Sequence, residues 1–328
     1  MRIDPDGVTG PTPGAARGPR WRSASHGYYV PATVEFSPEQ RIVEAAATLP
    51  DGGALTGWAS LMWRGGRWFD GYGAAGLPRA VMRASAAVDV RAQRGMAICA
   101  ERLSPLDIEV VDHVALTSAV RSAWFEMRYA ETLAEAVTVM DMAAYDDLVS
   151  IEELVAFETE HPAWTGAPQC RKAASLAREN AWSPTEVSLR LICEIHGELN
   201  GLLCNRPVFD LNGRHLGTPD LLDPQAGVAI EYDGAVHLTS PRRGRDLKRE
   251  GRFRAAGLEY VAAVSSDLAQ PWQWLPRLHQ ARDRALRDPA TPSWTIQPPH
   301  WWTLTDSVAV RRALSKHESE RYLRYRAA

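Results

Sequence analysis

Two acidic side chains separated by one residue, Glu231 and Asp233, stand in the run Val228-Ala229-Ile230-Glu231-Tyr232-Asp233-Gly234. In an extended strand, residues two apart project to the same face, so both carboxylates share one face while Ile230 and Tyr232 take the other. Like charges that close repel. Burial in a sheet makes ionising both costlier still, unless a cation sits between them and a third acid. Asp220, in Thr218-Pro219-Asp220-Leu221-Leu222 on the preceding run, supplies that acid. An oxygen ligand set with no Cys or His in it selects a hard ion, Mg²⁺ or Mn²⁺. Such an ion activates water and stabilises charge on a phosphodiester.

The elements that must position these acids follow from the flanking sequence. Ser183-Pro184-Thr185-Glu186 opens a helix with Val187, Leu191, Ile195 and Leu199 at intervals of four. A β-like run, Pro207-Val208-Phe209-Asp210, leads through an Asn212-Gly213 hairpin turn to a second run ending at Thr218–Leu222. The Asp223-Pro224 turn precedes the acidic third strand. A basic helix around Arg245–Ala256 and Gly257 then lead to a fourth run, Leu258–Val264. The expected order is α-β-β-β-α-β. The segment Arg242–Arg254 holds seven Lys or Arg against two Asp or Glu, a local excess able to face a polyanion.

Glu186 on the first helix, Pro219-Asp220, Glu231-Tyr232-Asp233-Gly234 with His237, and Arg245-Asp246-Leu247-Lys248-Arg249 together resemble the PD-(D/E)XK nuclease fold. They are most similar to bacterial proteins related to very-short-patch-repair endonucleases. With Thr117-Ser118 opening a helical middle, the whole arrangement resembles actinobacterial proteins that join an AbiEi-antitoxin-like N-terminal region to such a domain. The resemblance covers about 183–268 strongly and about 37–182 less so. It implies that Asp220 and Glu231 bind the metal with the Tyr232 backbone carbonyl as a third ligand, and that Glu186 reaches the same ion or its water. It also implies that His237 serves as general base and that Arg245, Lys248, Arg249 and Arg252 hold DNA, with Lys248 or Arg249 supplying positive charge at the phosphate. The sequence departs from the family at Asp233, where a Lys is usual, and at Ala262, where related sequences place an Arg.

Each motif has a plainer reading beside the catalytic one. Ser183-Pro184-Thr185-Glu186 is also a capping box with Pro at the first helical position. Asp220 can end a strand and cap a turn, and Asp233-Gly234 is a turn dipeptide. His237 can be a surface histidine, and the charges of the basic helix can pair along its surface.

Over the rest of the chain, the 328 residues allow two or three domains. Composition, 45% hydrophobic and 23% charged, is that of a globular protein, with no apolar run of membrane-spanning length. The four cysteines, Cys99, Cys170, Cys193 and Cys204, form no CxxC and read as reduced core residues. The net charge of −3 hides an acidic first half and a basic second half. No signal-type leader is legible at the N-terminus, so a cytoplasmic location is expected. The fold class expected is α/β (α+β) and multidomain. A flexible lead with one short strand (1–36) precedes a small α+β, AbiEi or winged-helix-like unit (37–116) and a helical connector (117–181). A restriction-endonuclease-like domain (182–288) and a C-terminal arm and helix (289–328) follow. Within these, a helix is expected over Leu55–Trp63, Thr117 as a helix N-cap, and Trp58, Trp63, Trp68, Trp124, Phe125, Met127, Met140 and Met142 in cores. Trp294, Trp301 and Trp302 should pack the arm, whose Arg311, Arg312, Arg321, Arg324 and Arg326 could touch phosphate but read more readily as a solvated face. Two functions compete: a metal-dependent DNA endonuclease, and a non-catalytic antitoxin-like DNA-binding regulator with a degenerate nuclease domain. Either can act as a homodimer or with a toxin-type protein partner. A small-molecule enzyme finds no phosphate loop, G-x-S-x-G or H-E-x-x-H motif to support it.

Overall fold

The computed structural model describes residues 1–73, 76–85, 92–234, 241–287 and 292–327, the side chains of 241–246 and 327 excepted. The chain is mixed α/β and divides into two compact units, Met1–Ala130 with Glu153–Cys170, and Glu131–Glu152 with Arg171–Ala328. Among the described residues no helix is long and apolar enough to cross a membrane.

In the first unit, the expected single strand over 20–31 is a hairpin, β1 (Trp21–Ser25) and β2 (Tyr28–Pro31), because Gly27 takes φ 77° and turns the chain. Helix α1 (Pro38–Ala46) is capped by Ser37, whose side chain accepts from Gln40 N. The helix expected over Leu55–Trp63 is instead β3 (Ala54–Thr56) followed by α2 (Trp58–Trp63). Gly57 makes the break at φ 65°, where a Cβ would lie 2.3 Å from the Glu126 carboxylate. Strands β4 (Val81–Ala84), β5 (Met96–Cys99), β6 (Ile108–Val111) and β7 (Val114–Thr117) join β3 in one sheet ordered β5-β4-β3-β7-β6. Thr117 closes β7, its hydroxyl bonded to Thr56 and Ser122, so Ser118 rather than Thr117 caps α3 (Ala119–Arg128). Trp58 and Trp124 are fully buried, whereas Trp68 is 45% exposed and leaves the expected core. Phe125, Met127, Met140 and Met142 are all buried, and the four cysteines are free thiols in core positions.

Helices α4 (Leu133–Tyr145), α5 (Ile151–Glu160) and α6 (Ala167–Leu176) follow, the last two each divided between the units. The second unit is built on α7 (Pro184–Leu191), which runs into a π-helical turn at Ile192–His196. That turn inserts an extra residue into the helical phase, so Ile195 is 49% exposed although its four-residue spacing predicts burial, while Cys193 and Leu199 stay inside. The β-runs that follow split into two sheets. Strands β9 (Val208–Asp210) and β10 (His215–Gly217) pair with each other and, through β9, with a strand of the arm, β14 (Trp294–Thr295). A four-stranded sheet takes β8 (Leu203–Cys204), β11 (Leu221–Asp223), β12 (Val228–Tyr232) and β13 (Glu259–Ala263) in the order β13-β12-β11-β8. The run expected to be continuous up to Leu222 changes sheets between Gly217 and Leu221, across Thr218-Pro219-Asp220, where Pro219 has no N–H for a ladder.

Between the parallel strands β12 and β13 the chain crosses over through α8 (Pro241–Ala255). Both faces of the sheet are covered. Leu189 of α7, with Trp274 and Leu278 of α10 (Pro271–Arg287), packs against Val228 and Ile230 on one face. Phe253 of α8 packs against Ala229 and Leu222 on the other. A short α9 (Ser265–Ala269) precedes α10, and α11 (Val308–Ala313) and α12 (Lys316–Tyr322) end the arm. The arm is not a solvated arginine face throughout. Arg311, 3% exposed, donates to Asp147 and to the carbonyls of Ala144, Glu179 and Thr305.

Helix α7 is fastened by a fully buried ion pair. Arg190 donates to Asp141 of α4 at 2.7 Å, to Leu176 O at 2.6 Å and to Glu194 at 2.8 Å, and Asp141 also accepts from Arg178 N at 2.8 Å. Removing one charge leaves the other buried and uncompensated. Arg190→Met is therefore expected to destabilise this unit by about 3–5 kcal/mol, and Arg190→Met with Asp141→Leu to recover much of that. Urea unfolding followed by near-ultraviolet circular dichroism checks both; an unchanged midpoint in the single variant would show that the pair does not hold α7.

Candidate active site at the ends of two central strands

Strands β11 and β12 pair antiparallel with Leu221 opposite Ile230, so one step further along the same register Asp220 and Glu231 face each other at the strand ends. Asp220 turns its carboxylate onto the neighbouring backbone, where Oδ2 accepts from Tyr232 N at 2.7 Å. Alternation along β12 sends Ala229 and Glu231 towards α8, and Ile230 and Tyr232 towards the α10 side. Glu231 is 4% exposed and its Oε2 accepts from Arg249 Nη2 at 2.7 Å. Helix α8 comes this close because Gly217 stands beneath it. A Cβ there would lie 2.8 Å from Phe253 and 3.0 Å from Arg249.

Asp233 lies one residue beyond the end of β12, where its N–H donates to Ala263 O and its side chain is exposed. The shared face expected for Glu231 and Asp233 is thus divided by depth: one acid is buried against α8 and the other is in solvent. His237 and the side chain of Arg245 lie outside the described residues. Lys248 and Arg252 are exposed on α8, whereas Arg249 turns inward to Glu231. Of the two cations expected to bring positive charge to the acids, Arg249 is the one that meets them.

Glu186 keeps its capping role, and its carboxylate also lies within electrostatic reach of Asp220. Ser183 Oγ accepts from Glu186 N at 3.2 Å, which is the helix cap, and the Glu186 carboxylate reaches back to Ser183 Oγ and to Trp182 N. The same carboxylate accepts from Asn205 Nδ2 at 2.7 Å and senses the charge of Asp220. Burial, and after it the Asp220 charge, push the Glu186 carboxyl up to about 7 against the pull of those hydrogen bonds. Asn205 was not foreseen. It occupies the left-handed region at φ 46°, donates its backbone N–H to Asp220 O at 2.9 Å and its amide to Asn180 O and Glu186. The one available signal was its residue type, since Asn tolerates this backbone region better than other side chains. Tyr260, raised by burial and by the Glu231 charge, and His215, lowered by burial and by Arg252, are further ionisable neighbours the sequence did not mark.

By type, the donors suit a hard cation. Asp220, Glu231 and the Tyr232 carbonyl offer only oxygen, and the Glu186 carboxyl, raised first by burial and then by the Asp220 charge, carries a repulsion that a cation beside Asp220 would relieve. Among the described residues, no three acidic, histidine or cysteine side chains form a ready-made metal cage. Comparison of the chain with family models, with curated proteins and with solved structures finds no match.

The titration of Glu186 has a definite sign. Its folded value lies above the ordinary 4.5, so the folded protein holds this proton more tightly than the unfolded chain, and the resulting stability is fully present in acid. It is lost as pH rises from about 4.5 to about 7. Melting temperature in EDTA is expected to fall across that window, and Glu186→Gln to flatten the fall. An identical slope in the variant would assign the pH dependence to other groups.

Proposed function

We propose that the chain is a metal-dependent endonuclease that hydrolyses phosphodiester bonds in DNA, and that its second unit carries a restriction-endonuclease-like αβββαβ core. The observation that supports this best is the convergence of Asp220 and Glu231 at adjacent strand ends, with Glu186 electrostatically joined to them and a basic crossover helix alongside. In this reading the resemblance to the PD-(D/E)XK proteins near very-short-patch-repair endonucleases reflects common chemistry, and the first unit supplies the AbiEi-like part.

Asp220, Glu231 and the Tyr232 carbonyl would hold Mg²⁺ or Mn²⁺. When bound, the ion supplies Lewis-acid activation of water and charge neutralisation at phosphorus. Asp220 keeps its carboxylate in place through Tyr232 N, and Asn205 keeps Glu186 beside it. Arg249 takes the place of the family lysine as the nearby positive charge, bound to Glu231 and able to turn to a phosphate oxygen. Lys248 and Arg252, four residues apart on the exposed side of α8, hold the backbone of the strand.

A second reading also has an observation in its favour. The Arg249 guanidinium already neutralises Glu231, as it would in an antitoxin-like regulator that binds DNA without cutting it.

Purified protein incubated with plasmid and mismatched duplex DNA in Mg²⁺, Mn²⁺ or EDTA separates the two. Cutting is expected only with metal, and Asp220→Asn should slow it by about a hundredfold or more with DNA affinity retained. Binding without cutting in every metal would favour the regulator. Independently of cutting, Lys248→Glu with Arg252→Glu should weaken binding to all sequences alike and lower the slope of log affinity against log salt by about 2. An unchanged slope would remove α8 from the DNA interface.

A further inference from the structure

Residues 292–327 are tied into the second unit at several points. Besides the Arg311 contacts, Val308 N donates to Glu179 at 2.6 Å, and Arg206 pairs with Asp306 at 2.6 Å. Held there, the arm closes over a cavity of about 340 Å³. Its aromatic residues are Trp182, Trp301, Trp302, Tyr322 and Tyr325, with the Trp182 and Tyr325 rings stacked at 3.9 Å and 9°. Arg321 and Arg324 line it as well. A space of this size is at the small end of ligand pockets and suits one flat ring with its sugar.

Among the polar residues that line the cavity is Asn205, only 2% exposed. Its Nδ2 is committed to Asn180 O and to Glu186, so the amide cannot turn over to exchange its ends. Among the described residues its buried Oδ1 accepts no hydrogen bond, and the buried Tyr325 hydroxyl has no partner either. Buried polar atoms are almost always paired, so two unpaired ones in residues that line one aromatic cavity point to a ligand that brings its own donor. A ring with N–H groups on its edge, flat faces and an attached phosphate matches the Asn205, aromatic and arginine parts of the lining.

We propose that this cavity takes one nucleobase turned out of a nucleic-acid strand, its N–H edge on Asn205 Oδ1, its face against the aromatic wall and its phosphate towards Arg321 and Arg324. The proposal rests on the nuclease reading and adds how the strand is held there. Asn205 also binds Glu186, so a seated base is one residue removed from the acid cluster. Stacking is tolerant of base identity, so the pocket selects for an unpaired or easily unpaired nucleotide rather than for a sequence.

The test uses the full chain in EDTA with single-stranded DNA carrying 2-aminopurine, and 2-aminopurine deoxynucleoside monophosphate as a separate arm. Strand binding is read by anisotropy of an end label and base stacking by 2-aminopurine emission. The expected result is a bound strand with emission quenched several-fold. Trp301→Ala, at a residue 47% exposed, should restore the emission and weaken binding about tenfold, the loss of one base–aromatic stack. Tyr325→Phe, which removes only the hydroxyl, should weaken binding at an unchanged melting temperature. Emission quenched as strongly in Trp301→Ala as in the unaltered protein, with equal affinity in both variants, would overturn the pocket, and the nuclease reading would stand if Asp220→Asn still slowed cutting. Free monophosphate binding as tightly as the strand would overturn a strand-borne base in favour of a free nucleotide. Absence of any DNA binding by the unaltered protein would overturn both proposals.

Discussion

The side-chain amide of Asn205 is the constraint on which the acid cluster depends. Three segments distant in sequence meet at it: Asn180 through paired amide and carbonyl bonds, Glu186 through Nδ2, and Asp220 through the backbone N–H of Asn205 itself. A left-handed backbone at a non-glycine residue is unfavourable on its own and persists where its surroundings over-determine it. Here those surroundings are the β8 edge, the start of α7 and the start of β11. Each is fixed elsewhere in the unit: Arg190 anchors α7, and Cys204, the last residue of β8, pairs with Leu221.

Arginine does much of the interior work in this unit. Arg190 and Arg311 are buried; Arg190 spreads its donors over two carboxylates and one carbonyl, and Arg311 over one carboxylate and three carbonyls, the use to which a planar five-donor fork is suited and a lysine is not. A basic count along the sequence cannot separate such residues from those that face a polyanion. Arg249 and Lys248 are neighbours on α8, yet one is paired to a buried acid and the other is in solvent. The positive charge of the second half is therefore partly structural, and what is left for solvent or a partner is set by where each residue sits rather than by the total.

What was legible in the sequence was what strand period and turn chemistry dictate locally. Alternation placed Glu231 correctly on the face opposite Ile230 and Tyr232, and the Asp223-Pro224 turn and the crossover helix fell where the punctuation indicated. Failures came where a long-range contact decided the outcome. The split of the Gly217–Leu221 run between two sheets follows from β14, a strand about eighty residues later that has no period of its own. The π-helical turn hides inside a regular apolar spacing. Asn205 and the Arg311 clamp act through bonds to backbone carbonyls, which no pattern of side-chain types records.

Glu186 and Glu231 show how one residue type can be set to two tasks by its donors. Glu231 meets a guanidinium, so its charge has a partner inside the fold. Among the described residues, Glu186 meets only neutral donors, Trp182 N, Ser183 Oγ and Asn205 Nδ2, while the nearby Asp220 opposes its ionisation. Acids whose environments push their behaviour apart are the pattern from which acid and base roles are built. In this cluster the less compensated acid is the one that exchanges a proton near neutrality, and a cation arriving beside Asp220 would compete with that proton. Acid strength at Glu186 and the charge of Asp220 are therefore coupled through one electrostatic interaction, and Asn205, bonded to both residues, sets the distance over which it acts.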